Sequence, residues 1–224
     1  TVGNEYLAGF ARRFTDHVTV LPTVVEVDRY VPQSALEPGS GLGPSGRVRV
    51  GWLGSDLSIR ETLFAHWDML GRMQRRLDFD LVICSLPRPA PPSNAVRWRY
   101  VPWSPATEEE ISREIDIGIM PLVDDEFQRG KCGLKLLQYM AAGLPVVASP
   151  IGANCSIVEH GASGYLAADE AAWLDALAEL IRSAEMRRRF GETGRRRCQA
   201  DFDLKAWLPT LLGILSAAAK SGGA

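Results

Sequence analysis

Hydrophobic and polar positions change period along this chain in a regular way. Short apolar runs at 48–53, 81–84, 96–101, 115–120, 146–149 and 164–167 read as buried strands. Segments at 59–74, 107–113 and 134–142 carry the spacing of helices, and 173–181, 186–200 and 204–215 read as amphipathic helices that close the chain. Strands alternating with helices predict a doubly wound parallel sheet, a Rossmann-like α/β fold with helices gathered at its C-terminal end. Ahead of the first run, 18–22 is expected to be a further strand. Ser, Pro and Gly crowd 34–46, which is linker chemistry. The expected division is therefore 1–33, a linker at 34–46, a Rossmann-like domain at 47–216, and a flexible tail at 217–224.

Gly41-Leu42-Gly43-Pro44-Ser45-Gly46 spells G-x-G-x-x-G. It precedes a strand instead of following one, and it carries a proline, so it does not qualify as a dinucleotide fingerprint.

Composition narrows the class. With 46% apolar residues over 224 positions the chain can bury one full core, and no internal repeat is visible. A net charge of −2 argues against a nucleic-acid binder. Arg187 to Arg189 and Arg195 to Arg197 form one local basic zone, read as solvated helix faces, with contact to an anionic lipid surface as the alternative. Cys84, Cys132, Cys155 and Cys198 show no paired spacing, which fits a reducing compartment. No apolar run is long enough to span a bilayer, and a cytoplasmic, soluble chain is expected.

The richest chemistry lies between Gly130 and Ser149, where a glycine loop, a lysine-bearing helix and a buried strand follow one another. A helix opening near Gly133 places backbone N–H groups, Lys131 and Lys135 around one point, which suits an anion. For Lys135 alone the alternative is an ordinary surface lysine whose stem lies along the helix. Loops at 54–58, 102–103 and 121–130 fall at carboxyl ends of strands, where open α/β sheets bind ligands. Trp103 either stacks on a base or packs the loop edge. Asp124-Asp125-Glu126 faces water more readily than it holds a metal, and His17 and His160 lack ligand-spaced partners; no metal is expected.

Laid on Glu-Gly-Phe-Gly-Leu-x-x-Leu-Glu-Ala-Met-Ala-x-Gly-x-Pro-Val-Val, residues 130–147 match closely from Leu137 to Val147. The chain thus resembles the donor-binding half of retaining glycosyltransferases of the two-Rossmann-domain (GT-B) architecture, particularly family 4. That family's two glutamates, which hold the donor's sugar and ribose, fall here on Gly130 and Gln138. Gln138 keeps a hydrogen-bonding side chain and Gly130 keeps none. The glycine loop has Ser55 at the family's arginine position and Arg60 at its lysine position; for Arg60 the alternative is a surface residue paired with Asp56 or Glu61.

The resemblance implies a nucleoside-diphosphate sugar as donor (UDP, GDP or ADP), no cofactor, and an acceptor hydroxyl. The implied contacts are Gly54, Ser55, Arg60, Trp103, Lys131, Cys132, Gly133, Leu134, Lys135 and Gln138. Lys135 and Arg60 would stabilise the leaving diphosphate. Residues 1–33 would end an acceptor-binding domain whose remainder is missing, and the intact enzyme would touch a membrane at most peripherally. A non-catalytic sugar-nucleotide module and a GT-B-like epimerase remain the rival readings.

Overall fold

The computed structural model describes residues 1–36 and 45–221. Most of the linker and of the glycine motif at 41–46 lie outside the described residues, as do positions 222–224.

The chain opens with α1 (Glu5–Ala11), then builds β1 (Arg49–Leu53), α2 (Asp56–Ile59), α3 (Trp67–Leu77), β2 (Asp80–Ser85), β3 (Trp98–Pro102) and α4 (Pro105–Glu109). The second half holds β4 (Ile117–Met120), α5 (Glu126–Arg129), α6 (Leu134–Ala141), β5 (Val146–Ala148), α7 (Asn154–Ile157) and β6 (Gly164–Leu166). Helices α8 (Glu170–Arg182), α9 (Ala184–Asp201) and α10 (Leu204–Ser221) complete it. All six strands pair in parallel, in the order β3-β2-β1-β4-β5-β6. The doubly wound parallel sheet expected from the pattern is therefore present.

Burial on both faces explains why the strands read as unbroken apolar runs. In β2, Leu81 and Ile83 enter one layer while Val82 and Cys84 enter the other. The first layer is closed by Trp67, Leu70 and Met73 of α3 and by Trp173, Leu177 and Leu180 of α8. The second is closed by Leu136, Leu137 and Met140 of α6 and by Cys198 of α9. At the amino edge of the sheet, Arg49 and Asp116 form a buried two-pronged ion pair, at 3.0 and 2.8 Å, that ties β1 to β4.

Several expected elements differ. The helix expected at 59–74 is three pieces: α2, a 3₁₀ turn at Phe64–His66, and α3. His66, at φ −108° and ψ 15°, breaks the helix. Beyond the break the Trp67 indole donates to the Ser93 carbonyl at 3.0 Å, a partner 26 residues away that periodicity does not reveal. The helix expected at 107–113 instead starts at Pro105, capped by Ser104, and gives way to a 3₁₀ turn at Ile111–Arg113. That turn buries Ile111 and lets the Ser112 hydroxyl donate to the Val31 carbonyl at 2.6 Å. Helices α5 and α7 span four residues each, too short to leave a periodic signal. Helix α10 runs to Ser221, beyond the tail boundary expected at 217.

The strand expected at 18–22 is a single bridge between Val2 and Val20. Pro22 has no N–H with which to extend it. The segment before the linker packs on the sheet domain: Val25, Val27 and Tyr30 are buried in the layer beneath α6, and Asn4 donates to the Arg129 and Lys131 carbonyls at 3.2 and 3.1 Å. The basic zone on α9 is only partly a solvated face. Arg195 donates to the Tyr30 and Ala141 carbonyls, and Arg187 to those of Leu180 and Ile181, so these arginines tie elements together.

Candidate functional site

The strand order reverses between β1 and β4, and a cleft opens there at the carboxyl edge. Its floor depends on two glycines. A Cβ on Gly54 would stand 2.5 Å from the Trp52 ring and 2.6 Å from Lys135 Cε, so only a bare backbone lets these side chains meet beside the β1 loop. Gly133 has φ +73° at the N-cap of α6, and a Cβ there would also strike Ile157 Cδ1. That conformation strongly favours glycine.

A third close approach sets the height of α6. Gly118 of β4 leaves room for the Tyr139 ring, whose hydroxyl accepts from the Leu53 backbone N–H at 2.7 Å. Lys135 lies one helical turn before Tyr139 and therefore on the same face. The anchored tyrosine thus delivers the lysine to the end of β1, where its Nζ sits 5.3 Å from the Trp52 ring centroid.

The resulting cavity measures about 560 Å³, within the range of small-molecule sites. Leu53, Gly54, Ser55, Leu86, Trp103, Glu108, Met120, Lys131, Cys132, Gly133, Leu134, Lys135 and Gln138 line it. Burial, reinforced by neighbouring Lys131, pulls the Lys135 ammonium down to about 8. Burial also lowers Lys131, with Glu61 and Asp125 opposing. Lys131 Nζ is buried with no hydrogen-bond partner among the described residues and faces the Phe127 ring at 5.3 Å. Two desolvated cations stand at one wall, neither in an ion pair with a carboxylate among the described residues, and the electrostatics there favour negative charge.

Nine of the ten expected contact residues converge on this cavity. Arg60 does not. It follows α2 directly, and since Ile59 is fully buried, the next side chain rotates outward into solvent. Asp124 is held by Arg129 at 2.7 Å and Asp125 caps α5, so these acids serve the loop itself. His160 Nδ1 accepts from the Leu166 N–H at 3.1 Å.

Sequence reasoning missed Leu53, Leu86, Met120 and, most of all, Glu108. Glu108 accepts from the Trp103 indole at 2.8 Å and from the Tyr30 hydroxyl at 2.9 Å. In the sequence it is one of three adjacent glutamates with nothing to set it apart. A second cavity of about 350 Å³ shares Trp103, Glu108, Leu134 and Gln138 with the first, so these four form a common wall. At Gly130 a Cβ would make only ordinary contacts, 3.4 Å to the Phe127 carbonyl and 3.5 Å to Leu7 Cδ2. Sterics do not demand glycine there.

The fold and the sequence both recur among known proteins. D-inositol 3-phosphate glycosyltransferase of Corynebacterium urealyticum is 36% identical over 97 residues, which span 42% of this chain and 22% of that protein. Sucrose-phosphate synthase from Thermosynechococcus elongatus shares the fold with a TM-score of 0.71 at 19% identity, over 97% of this chain and 58% of its own. HepE from Anabaena, in complex with UDP-glucose, superposes with a TM-score of 0.73 at 14% identity, over 96% of this chain and 63% of its own. The chain therefore spans less than two thirds of the length of each of these relatives. Residues 69–183, from α3 to the end of α8 and including the whole lysine-bearing segment, match the family described as glycosyl transferases group 1, and the chain belongs to that family as a GT-B-type domain.

Proposed function

We propose that the cavity binds the diphosphate of a nucleoside-diphosphate sugar and that the intact protein transfers the sugar to an acceptor hydroxyl with retention of configuration. The pair of desolvated ammoniums, Lys131 and Lys135, carries this reading, because a diphosphate supplies the charge that both lack. The open first turn of α6 adds N–H donors to the same point. HepE, a structure of the same fold, holds UDP-glucose. Negative charge gathers on the diphosphate as the sugar–oxygen bond breaks, and fixed cations favour that state over the ground state. An acceptor domain ahead of residue 34 would supply the second wall, so this chain alone would bind a donor without turning it over. The cytoplasm, with any membrane contact peripheral, is the setting this chemistry implies.

The absence of a side chain at Gly130 favours one second reading, a sugar-nucleotide module without transfer activity. Calorimetric titration with UDP, GDP, ADP and UDP-glucose tests binding. Product analysis of the full-length protein with the donor that binds separates transfer, epimerisation and simple retention. No heat and no chemical-shift change with any of these ligands at millimolar concentration would remove the donor-site reading.

A further inference from the structure

With the diphosphate at Lys131 and Lys135, the rest of a nucleotide extends along the cavity toward the wall shared with the second cavity. Glu108 is the one carboxylate among the residues lining the first cavity. Its two oxygens each accept one hydrogen bond, Oε2 from Trp103 and Oε1 from Tyr30, which fixes the group in place. A carboxylate oxygen has two lone pairs, so each retains one acceptor site. Gln138 lies on the same wall, where its amide partly opposes the upward push that burial and Glu108 exert on the Tyr30 hydroxyl.

We propose that Glu108, reaching in from α4 across the wall that Trp103, Tyr30 and Gln138 hold rigid, receives the ribose hydroxyls of the bound nucleotide. The proposal rests on the donor-site reading above and goes beyond it by assigning ribose recognition to a residue outside the lysine-bearing segment. It also accounts for the amide at 138. A carboxylate there would set a second negative charge on the wall that Glu108 already occupies. Carboxylate at 108 and amide at 138 are two halves of one arrangement. A ribose hydroxyl donating to a carboxylate makes a charge-assisted bond, stronger than one to an amide.

The test titrates UDP, GDP and ADP, and the 2′-deoxy counterpart of each, into the wild type, Glu108→Gln and the double variant Glu108→Gln/Gln138→Glu. Inorganic diphosphate serves as a probe of the lysines alone. The wild type is expected to bind the ribonucleotide about tenfold more tightly than its deoxy form. Glu108→Gln is expected to reduce that ratio to about twofold while leaving inorganic diphosphate binding in place, because that probe reaches only the lysines. The double variant is expected to restore the preference. Where Glu108→Gln does not fold, Glu108→Asp, which keeps the charge and withdraws it by one methylene, serves the same comparison.

A Glu108→Gln variant with the wild-type ratio overturns the proposal. So does one that loses ribo- and deoxynucleotide affinity equally, which would make Glu108 a support for Trp103. Wild-type binding without ribose discrimination overturns this proposal alone, whereas no binding of any nucleotide or of diphosphate removes the donor site itself.

Discussion

Lys135 Nζ stands 5.3 Å from the centroid of the Trp52 ring, and the two side chains meet because Gly54 places no Cβ between them. The contact offsets part of the cost of desolvating the ammonium, since the ring's face attracts cations. It cannot offset all of it, and the ammonium is left with its affinity for protons reduced.

Replacing Lys135 by methionine keeps a stem against Trp52 and removes the charge. Affinity for the nucleoside diphosphate should fall roughly tenfold or more, the scale of one lost charge-assisted hydrogen bond. Thermal unfolding should change little or rise, because a buried unpaired cation no longer has to be desolvated. Calorimetry and a melting curve check both; a Lys135→Met protein that binds like wild type but melts several degrees lower would assign the lysine to packing.

The pH dependence follows from the same residue. In the unfolded chain Lys135 titrates near its ordinary 10.5, and in the folded chain near 8. Between those values the unfolded chain holds more protons, so the empty protein should gain stability from this group as pH rises from about 8 to about 10.5. Diphosphate binding should move the opposite way and weaken above about pH 8, approaching tenfold per pH unit while the bound lysine remains protonated. Titrations at pH 7, 8, 9 and 10 in wild type and Lys135→Met should show that decline attenuated in the variant.

Gly133→Ala should damage both fold and site. The left-handed conformation costs roughly 1–2 kcal/mol for a residue with a Cβ, and the collision with Ile157 adds about 1–3 kcal/mol. Urea unfolding should show a loss of roughly 2–5 kcal/mol. Adding Ile157→Val, which removes the Cδ1 that collides, should recover the collision but not the backbone cost, and a single variant as stable as wild type would contradict the geometry at the α6 N-cap.

Breaking the Arg49–Asp116 pair should cost far more than any surface bridge. Asp116→Ala leaves a buried guanidinium uncompensated, a loss of about 3–5 kcal/mol. Arg49→Met/Asp116→Leu should recover only part of it. Asp116 Oδ2 also accepts the Arg49 backbone N–H at 2.7 Å, and no apolar side chain replaces that bond. Urea unfolding of the single and double variants measures the difference, and full recovery in the double variant would mean that the backbone bond contributes little.

Tyr139 supports the site from below, so Tyr139→Phe should strand the buried Leu53 N–H at a cost of about 1–3 kcal/mol. Nucleotide affinity should fall as well if Lys135 depends on this anchor. Hydrogen exchange at Leu53 together with calorimetry reads both effects.

The apolar runs of β1, β2 and β4 and the helical spacing of α6, α8 and α9 were legible because each is a local periodic signal that burial on a sheet face imposes residue by residue. The glycine loop and the two lysines were legible for a similar reason, since they lie close together in the chain and a helix start explains them. The breaks at His66 and Glu110 were not. Each is set by a distant partner, the Ser93 carbonyl for Trp67 and the Val31 carbonyl for Ser112. That Arg60 lies outside the cavity was not legible either, because the side of α2 that faces the core depends on where Ile59 lands.

The sequence by itself therefore determined the α/β class, the strand and helix alternation, and the chemistry of the loop before α6, all of which depend on neighbours within a few turns. Only the tertiary structure decided which charges meet. Tyr30, the Trp103–Glu108 segment and Gln138 come from three separate stretches of chain and form one wall because β3 ends, and α4 and α6 begin, at the same sheet edge. Hydrophobic burial is non-directional and sets the elements, whereas hydrogen bonds and ion pairs are short-ranged and specify the site only once packing has brought their partners together.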